Sequence, residues 1–159
     1  MPVKIDTGIS AEDRGAIAAG LVKLLADTYS LYHKTHGYHW NVRGPNFGAL
    51  HGLLEDQYQE IWRATDVIAE RIRAVGELAP QGYTALANLT GIKDGDPEKS
   101  WEEMIGELKQ DNETVIATAR GAFAPAEGAG DQATLDLLTQ RLLAHEKHAW
   151  MLRATLGGK

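Results

Sequence analysis

The sequence predicts an all-α chain: a four-helix bundle with a short extra helix in the connection between the second and third long helices. Three observations carry this expectation. Apolar residues recur at alternating steps of three and four along four stretches, each stretch ends at a clear glycine or proline stop, and no segment reads as a convincing strand. The stops argue for separate antiparallel-type helices rather than one long coiled coil.

The first helix carries Ile17, Leu21, Leu24, Thr28, Leu31, Thr35 and Tyr38 on one face, and Gly44-Pro45 ends it. Asn46 is then placed to cap the second helix, whose inward stripe is Leu50, Leu54, Gln57, Ile61, Ala64 and Ile68. That pattern runs to about Val75, where Gly76 and Pro80 break it. A connection from about Gly76 to Gly95 follows, long enough to cross the bundle, and its segment Tyr83 to Leu89 reads as the short extra helix. Asp96-Pro97 is expected to open the third helix as cap and first-turn proline, with Trp101, Ile105, Leu108, Asn112, Val115, Ala119 and Ala122 inward. Pro125 and Gly128 to Gly130 are expected to close it. Asp131 then caps a fourth helix with Leu135, Leu138, Leu142, His145, Ala149, Leu152 and Leu156 facing the core.

With 159 residues the chain is expected to form one domain over 1–159, preceded by a short N-terminal tail over 1–9. Its 16 basic and 22 acidic residues give a net charge of −6, which offers no general attraction for nucleic acid or anionic lipid. With no cysteine there is neither a disulfide framework nor a thiolate metal site. The first residues lack the apolar run of a signal peptide, and no stretch approaches the roughly 20 apolar residues of a membrane span, so a cytoplasmic protein is the default expectation.

Chemistry is concentrated in His39, His51, Glu55, Asp66 and Glu70. Imidazole nitrogen together with carboxylate oxygen suits iron, manganese or zinc, and each pair at i, i+4 projects from one face of a helix. On the second helix, with Leu50 as zero, the apolar stripe falls within about 40° either side, whereas His51, Glu55, Asp66 and Glu70 fall at about 100°, 140°, 160° and 200°. The ligands therefore turn away from the core. Glu55 and Asp66 are also separated by about 16 Å along the axis, too far for their donors to share one small cation. One copy of the helix cannot close the site. Two copies packed antiparallel about a two-fold axis bring Asp66 and Glu70 of one opposite His51 and Glu55 of the other, and produce two equivalent sites. Trp62 lies on this outward face at about 120°, a position that suits a buried two-fold interface.

The run Tyr38-His39-Trp40-Asn41-Val42-Arg43-Gly44-Pro45-Asn46-Phe47, followed by Leu50-His51, Glu55 and Asp66-Val67-Ile68-Ala69-Glu70-Arg71, resembles the Dps family of mini-ferritins, which are ferritin-like four-helix bundles. The resemblance extends over essentially the whole chain, including the short helix and the closing Glu146-Lys147-His148-Ala149-Trp150-Met151-Leu152-Arg153. It implies a homododecameric cage built from two-fold dimers, with ferroxidase sites between subunits. There ferrous iron is oxidised, with hydrogen peroxide preferred, and stored inside as ferric oxide, protecting the cell from oxidative damage. By this similarity His39, His51 and Glu55 come from one subunit and Asp66 and Glu70 from its two-fold mate. The implied site takes one iron or two, and zinc, which accepts the same ligands without redox chemistry, is a competitor.

The mixed ligand set suits the task, because carboxylates hold both Fe(II) and Fe(III) whereas histidines favour the ferrous ion. Trp40, beside His39, is a candidate donor of a further electron when only one iron is bound; packing at the helix end is the alternative. The resemblance also places Glu127, Asp131 and Asp136 at pores where carboxylates attract Fe(II), although Asp131 already has a capping explanation. No glutamate is followed by histidine three residues later, which argues against a di-iron centre inside one bundle. His145 and His148 are three residues apart rather than the four of a zinc-protease helix, and His145, in the apolar stripe, reads as a hydrogen-bonded core histidine. A solvated face accounts for His33 and His36. The alternative function is a DNA-compacting nucleoid protein with a secondary metal site. It calls for a lysine-rich arm, whereas the segment before the first helix contains Lys4 alone and Lys159 stands alone after Gly157-Gly158, so DNA binding is expected to be weak or absent.

Overall fold

A computed structural model describes residues 3–159; residues 1 and 2, part of the expected 1–9 tail, lie outside the described residues. The long helices are α1 (Ala11–Asn41), α2 (Phe47–Ala74), α4 (Trp101–Gly121) and α6 (Gln132–Thr155), with short α3 (Tyr83–Leu89) and α5 (Phe123–Gly128) between them. No strand occurs among the described residues.

The periodic stripes become the core. Every stripe residue predicted on α1 and α2 is buried, and on α4 the buried set includes Ile105, Leu108, Asn112, Val115 and Ala119. Each such aliphatic side chain contributes about 1.5–3 kcal/mol by leaving water. Tyr32 lies beside Tyr58 and His39 beside His51, so α1 and α2 run antiparallel. Tyr38 bonds Glu107 while Asp27 bonds Thr118, so α4 is also antiparallel to α1. It follows that α2 and α4 point the same way, and the 75–100 connection must cross the length of the bundle.

Asp27 anchors that crossing. Its fully buried carboxylate accepts from Lys23, from the Thr90 and Thr118 hydroxyls and from the Gly91 N–H, at 2.7–2.9 Å. Burial pushes its pKa up, but these donors outweigh burial and hold the carboxyl below its ordinary value. At the other end of the connection Tyr38, Lys34 and Lys99 converge on Glu107, whose carboxyl they bring down to about 2 against the opposing pull of burial.

Several expected boundaries move. The third helix opens at Ser100, not at Asp96-Pro97: the Ser100 hydroxyl accepts from the Glu103 N–H while the Glu103 carboxylate accepts from the Ser100 N–H. This reciprocal box satisfies two helix-end donors, and Asp96 instead forms a local turn by accepting from the Glu98 N–H at 2.9 Å. At the far end α4 stops at Gly121, and Pro125 falls in the first turn of α5, where a missing N–H costs little. Asn46 occupies the N-cap of α2 without a side-chain bond to it, α1 ends at Asn41 ahead of Gly44, and Leu156 lies past the end of α6, largely exposed rather than inward. Asp131 does cap α6, through the Thr134 N–H at 3.1 Å.

Candidate metal centre

His39 stands in the last turn of α1 and His51 in the opening turns of α2, so the tight 42–46 connection fixes their relation. Gly44 makes it possible: its φ of 136° is rarely adopted by other residues, and a Cβ there would stand 3.0 Å from the Trp101 ring. The two imidazoles stack at 3.7 Å between centroids and 18° between planes.

Each ring also bonds the other residue's backbone. His39 Nδ1 lies 2.8 Å from the His51 carbonyl, and His51 Nδ1 lies 2.8 Å from the His39 carbonyl. A carbonyl oxygen only accepts, so both Nδ1 atoms carry the proton and both Nε2 atoms keep a free lone pair. Backbone carbonyls thereby set the tautomer and orientation that a metal-binding imidazole needs. His39 is buried, whereas His51 and Glu55, one helical turn further on, are half-buried.

Asp66 and Glu70 are exposed on the same outward face of α2, beyond Trp62. Among the described residues no three His, Asp or Glu side chains are gathered as a metal site. The single chain brings His39 and His51 together but gathers neither Glu55 with them nor Asp66 and Glu70 with either. Exposed apolar side chains stand near them, beside the charged Arg63: Trp62 and Val67 are each 56% exposed and Tyr83, on α3, is 77% exposed. Leu25, Tyr29, Trp62, Asp66, Val67 and Tyr83 line a depression of about 810 Å³ there.

Sequence reading missed an aromatic cluster behind the histidines. His36 does not simply face solvent: its ring stacks on Tyr58 at 3.9 Å and touches Trp40 at 4.3 Å, and Tyr58 meets His39 edge-on at 5.1 Å. Burial, then the neighbouring His39 and His33, press the His36 pKa below its ordinary value, while burial and the phenols of Tyr29, Tyr58 and Tyr83 raise that of Tyr32. The signal was available, since Tyr32 and His36 are four apart on α1 and Tyr58 projects at about 80° on α2, close to His51. His33 is exposed, as expected, and Trp40 is 62% exposed.

His145 is a core histidine. Arg141 Nη2, which can only donate, lies 2.9 Å from its Nε2, so its Nδ1–H donates to Asn112 Oδ1 at 2.8 Å. Neither nitrogen is left for a metal. Of the acidic trio near α6, Glu127 and Asp136 are exposed, but Asp131 is buried and its carboxylate is engaged by Arg71 and Thr134. Burial raises the Asp131 pKa, and these donors more than reverse it.

Comparison with known proteins agrees with this architecture. A family model described as a ferritin-like domain matches residues 18–158. A low temperature-induced protein of Nostoc sp. is 36% identical over 160 residues, covering 98% of this chain and 88% of its own. A DNA protection during starvation protein of Brevibacillus brevis is 34% identical over 140 residues, covering 88% of this chain and 94% of its own. Among solved structures, a Dps protein from Vibrio cholerae O1, described as a member of a broad superfamily of ferritin-like diiron-carboxylate proteins, superposes with a TM-score of 0.91 at 25% identity, covering 98% of this chain and 99% of that one. The chain belongs to the Dps family of ferritin-like proteins.

Proposed function

We propose that this protein is a ferroxidase and iron store, oxidising Fe(II) at sites shared across a two-fold interface and keeping ferric oxide inside a homododecameric cage. The observation that carries this reading is the reciprocal pairing of His39 and His51, which leaves both Nε2 lone pairs free, with Glu55 one helical turn beyond His51 on α2. Asp66 and Glu70 of a second copy complete the coordination, and the exposed Trp62, Val67 and Tyr83 supply the apolar surface the two-fold contact buries.

With hydrogen peroxide as preferred oxidant, two ferrous ions each give one electron and the peroxide takes up two protons, yielding two ferric ions and two waters. No hydroxyl radical is released. Glu127 and Asp136 are proposed to draw Fe(II) towards the cage, while Asp131 holds Arg71 and the start of α6. Zinc competes for the same ligands. The proposed setting is the cytoplasm; no helix among the described residues is long and apolar enough to cross a membrane.

The test is anaerobic Fe(II) addition to the apoprotein followed by peroxide, reading ferric absorbance and particle mass. Rapid oxidation with iron retained in a particle of about twelve subunits is expected; a zinc-like spectroscopic silence would sink the reading. Direct DNA binding is proposed to be weak, because residues 1–9 contain Lys4 as their one basic residue. Retardation of duplex DNA at physiological salt, abolished by removing residues 1–9, would contradict that.

A further inference from the structure

Six rings form a continuous chain from the proposed iron site into α1. His51 stacks on His39, His39 meets Tyr58 at 5.1 Å, Tyr58 stacks on His36, and Tyr32 lies 5.7 Å from His36 and 6.4 Å from Tyr58. Tyr29 extends the chain, edge-on to Tyr32 at 5.8 Å. A side-chain polar link joins two of these rings: the Tyr32 hydroxyl lies 3.3 Å from His36 Nδ1. A phenol is oxidised far more readily when its proton has somewhere to go in the same step, and an imidazole nitrogen at hydrogen-bond distance is such a place.

We propose that Tyr32, with His36 as its proton acceptor and Tyr58 as the ring bridging to His39, supplies the second electron when peroxide meets a site holding a single Fe(II). The inference rests on the iron-oxidising reading above. The electron count is complete. Fe(II) gives one electron and becomes Fe(III); Tyr32 gives one and becomes a neutral tyrosyl radical as its proton passes to His36. Hydrogen peroxide takes both electrons and two protons from solvent, its O–O bond breaks, and two waters leave. Without the second donor the same encounter releases hydroxyl radical.

The geometry favours Tyr32 over Trp40 for this task. Trp40 touches the same imidazole, but in the single chain it is 62% exposed, and an exposed radical reacts with whatever is dissolved. Tyr32 is half-buried and flanked by Tyr29 and Tyr58, which share and hold the oxidising equivalent.

The experiment uses the assembled full chain, loaded anaerobically with less Fe(II) than one ion per site, mixed with equimolar hydrogen peroxide and frozen. Ferric absorbance and electron paramagnetic resonance are read on the same preparation, with a spin trap for hydroxyl radical in a parallel one. The expected result is ferric absorbance with a radical signal that narrows when the tyrosines carry ring deuterium. Tyr32→Phe keeps the ring, loses most of that signal and raises trapped hydroxyl radical several-fold. His36→Phe keeps stacking on Tyr58, removes the proton acceptor and lowers the tyrosyl yield several-fold. Absence of ferric absorbance overturns the iron-oxidising reading and the relay together. Ferric absorbance without a tyrosyl radical overturns the relay alone, as does a signal that survives Tyr32→Phe or disappears in Trp40→Phe.

Discussion

Two histidine centres in this chain are built from the same side chain and put to opposite uses. At the α1–α2 junction, His39 and His51 each spend one nitrogen on a backbone carbonyl and keep the other free. In α6, His145 spends both, one on Asn112 and one on Arg141, deep in the core. What separates the proposed ligands from the structural strut is therefore the second nitrogen's partner, not burial, because His39 is itself buried.

The largest effect that tests this contrast is at the junction. The double variant His51→Ala, Glu55→Ala should fold and assemble yet lose more than about 100-fold in Fe(II) oxidation rate, since loss of outer-shell partners alone costs up to about that much. Stopped-flow ferric absorbance checks it. A rate matching wild type would show that the two free lone pairs are not where iron binds.

The reverse behaviour is expected at the other centre. His145→Ala leaves a cavity and strands Asn112 and Arg141 without their partner, costing about 3 kcal/mol of stability. Thermal unfolding should show it, while iron oxidation per folded subunit stays near wild type. Zinc should raise the melting temperature of this variant and of wild type alike, but much less that of the double variant. If zinc stabilisation disappeared with His145, the core centre would have to be a metal site after all.

Gly44→Ala probes the junction more gently. A Cβ at φ 136° and 3.0 Å from the Trp101 ring should cost about 1–3 kcal/mol and shift the 42–46 connection. Because that connection sets the register of His39 against His51, oxidation should slow as well. A stability loss with full activity would mean that the ring pairing survives without the turn.

The contrast between the centres was only half legible in the sequence. Helical periodicity exposed the stripes of α1 and α2, and the same angles placed His51, Glu55, Asp66 and Glu70 outward, because one helix determines both. His145 could be assigned to the core from its position among leucines, but its partners come from Asn112 on α4 and Arg141, so the network that disarms it appears only once helices pack. His36 was assigned to a solvated face, although its spacing from Tyr32 and the angle of Tyr58 beside His51 already pointed to the cluster they form. The start of α4 was misread differently: Asp96 and Ser100 are both competent caps, and the deciding bond is the return contact from Glu103.

The smallest expected effect concerns the neighbour of the core centre. His148 is held down to about 4, chiefly by burial; Glu60 pulls upward, while Arg141 and Lys147 add to the depression. His145 is shifted in the same direction by burial, Arg141 and His148. An unfolded histidine titrates near 6.5, so below that pH the unfolded chain binds protons that the folded core refuses. Stability present above pH 6.5 is therefore lost progressively as the pH falls towards 4. Glu60 is also held low, with burial opposing Arg141, His148 and Arg63, and its contribution is lost only once the pH falls through the carboxylate range. Melting temperatures between pH 7 and 5 isolate the histidines. In that window His148→Asn should flatten the slope relative to wild type, and the change should persist with zinc bound at the junction. A slope unaltered by this substitution would place the acid sensitivity outside His148 and leave His145 as the one core histidine able to carry it.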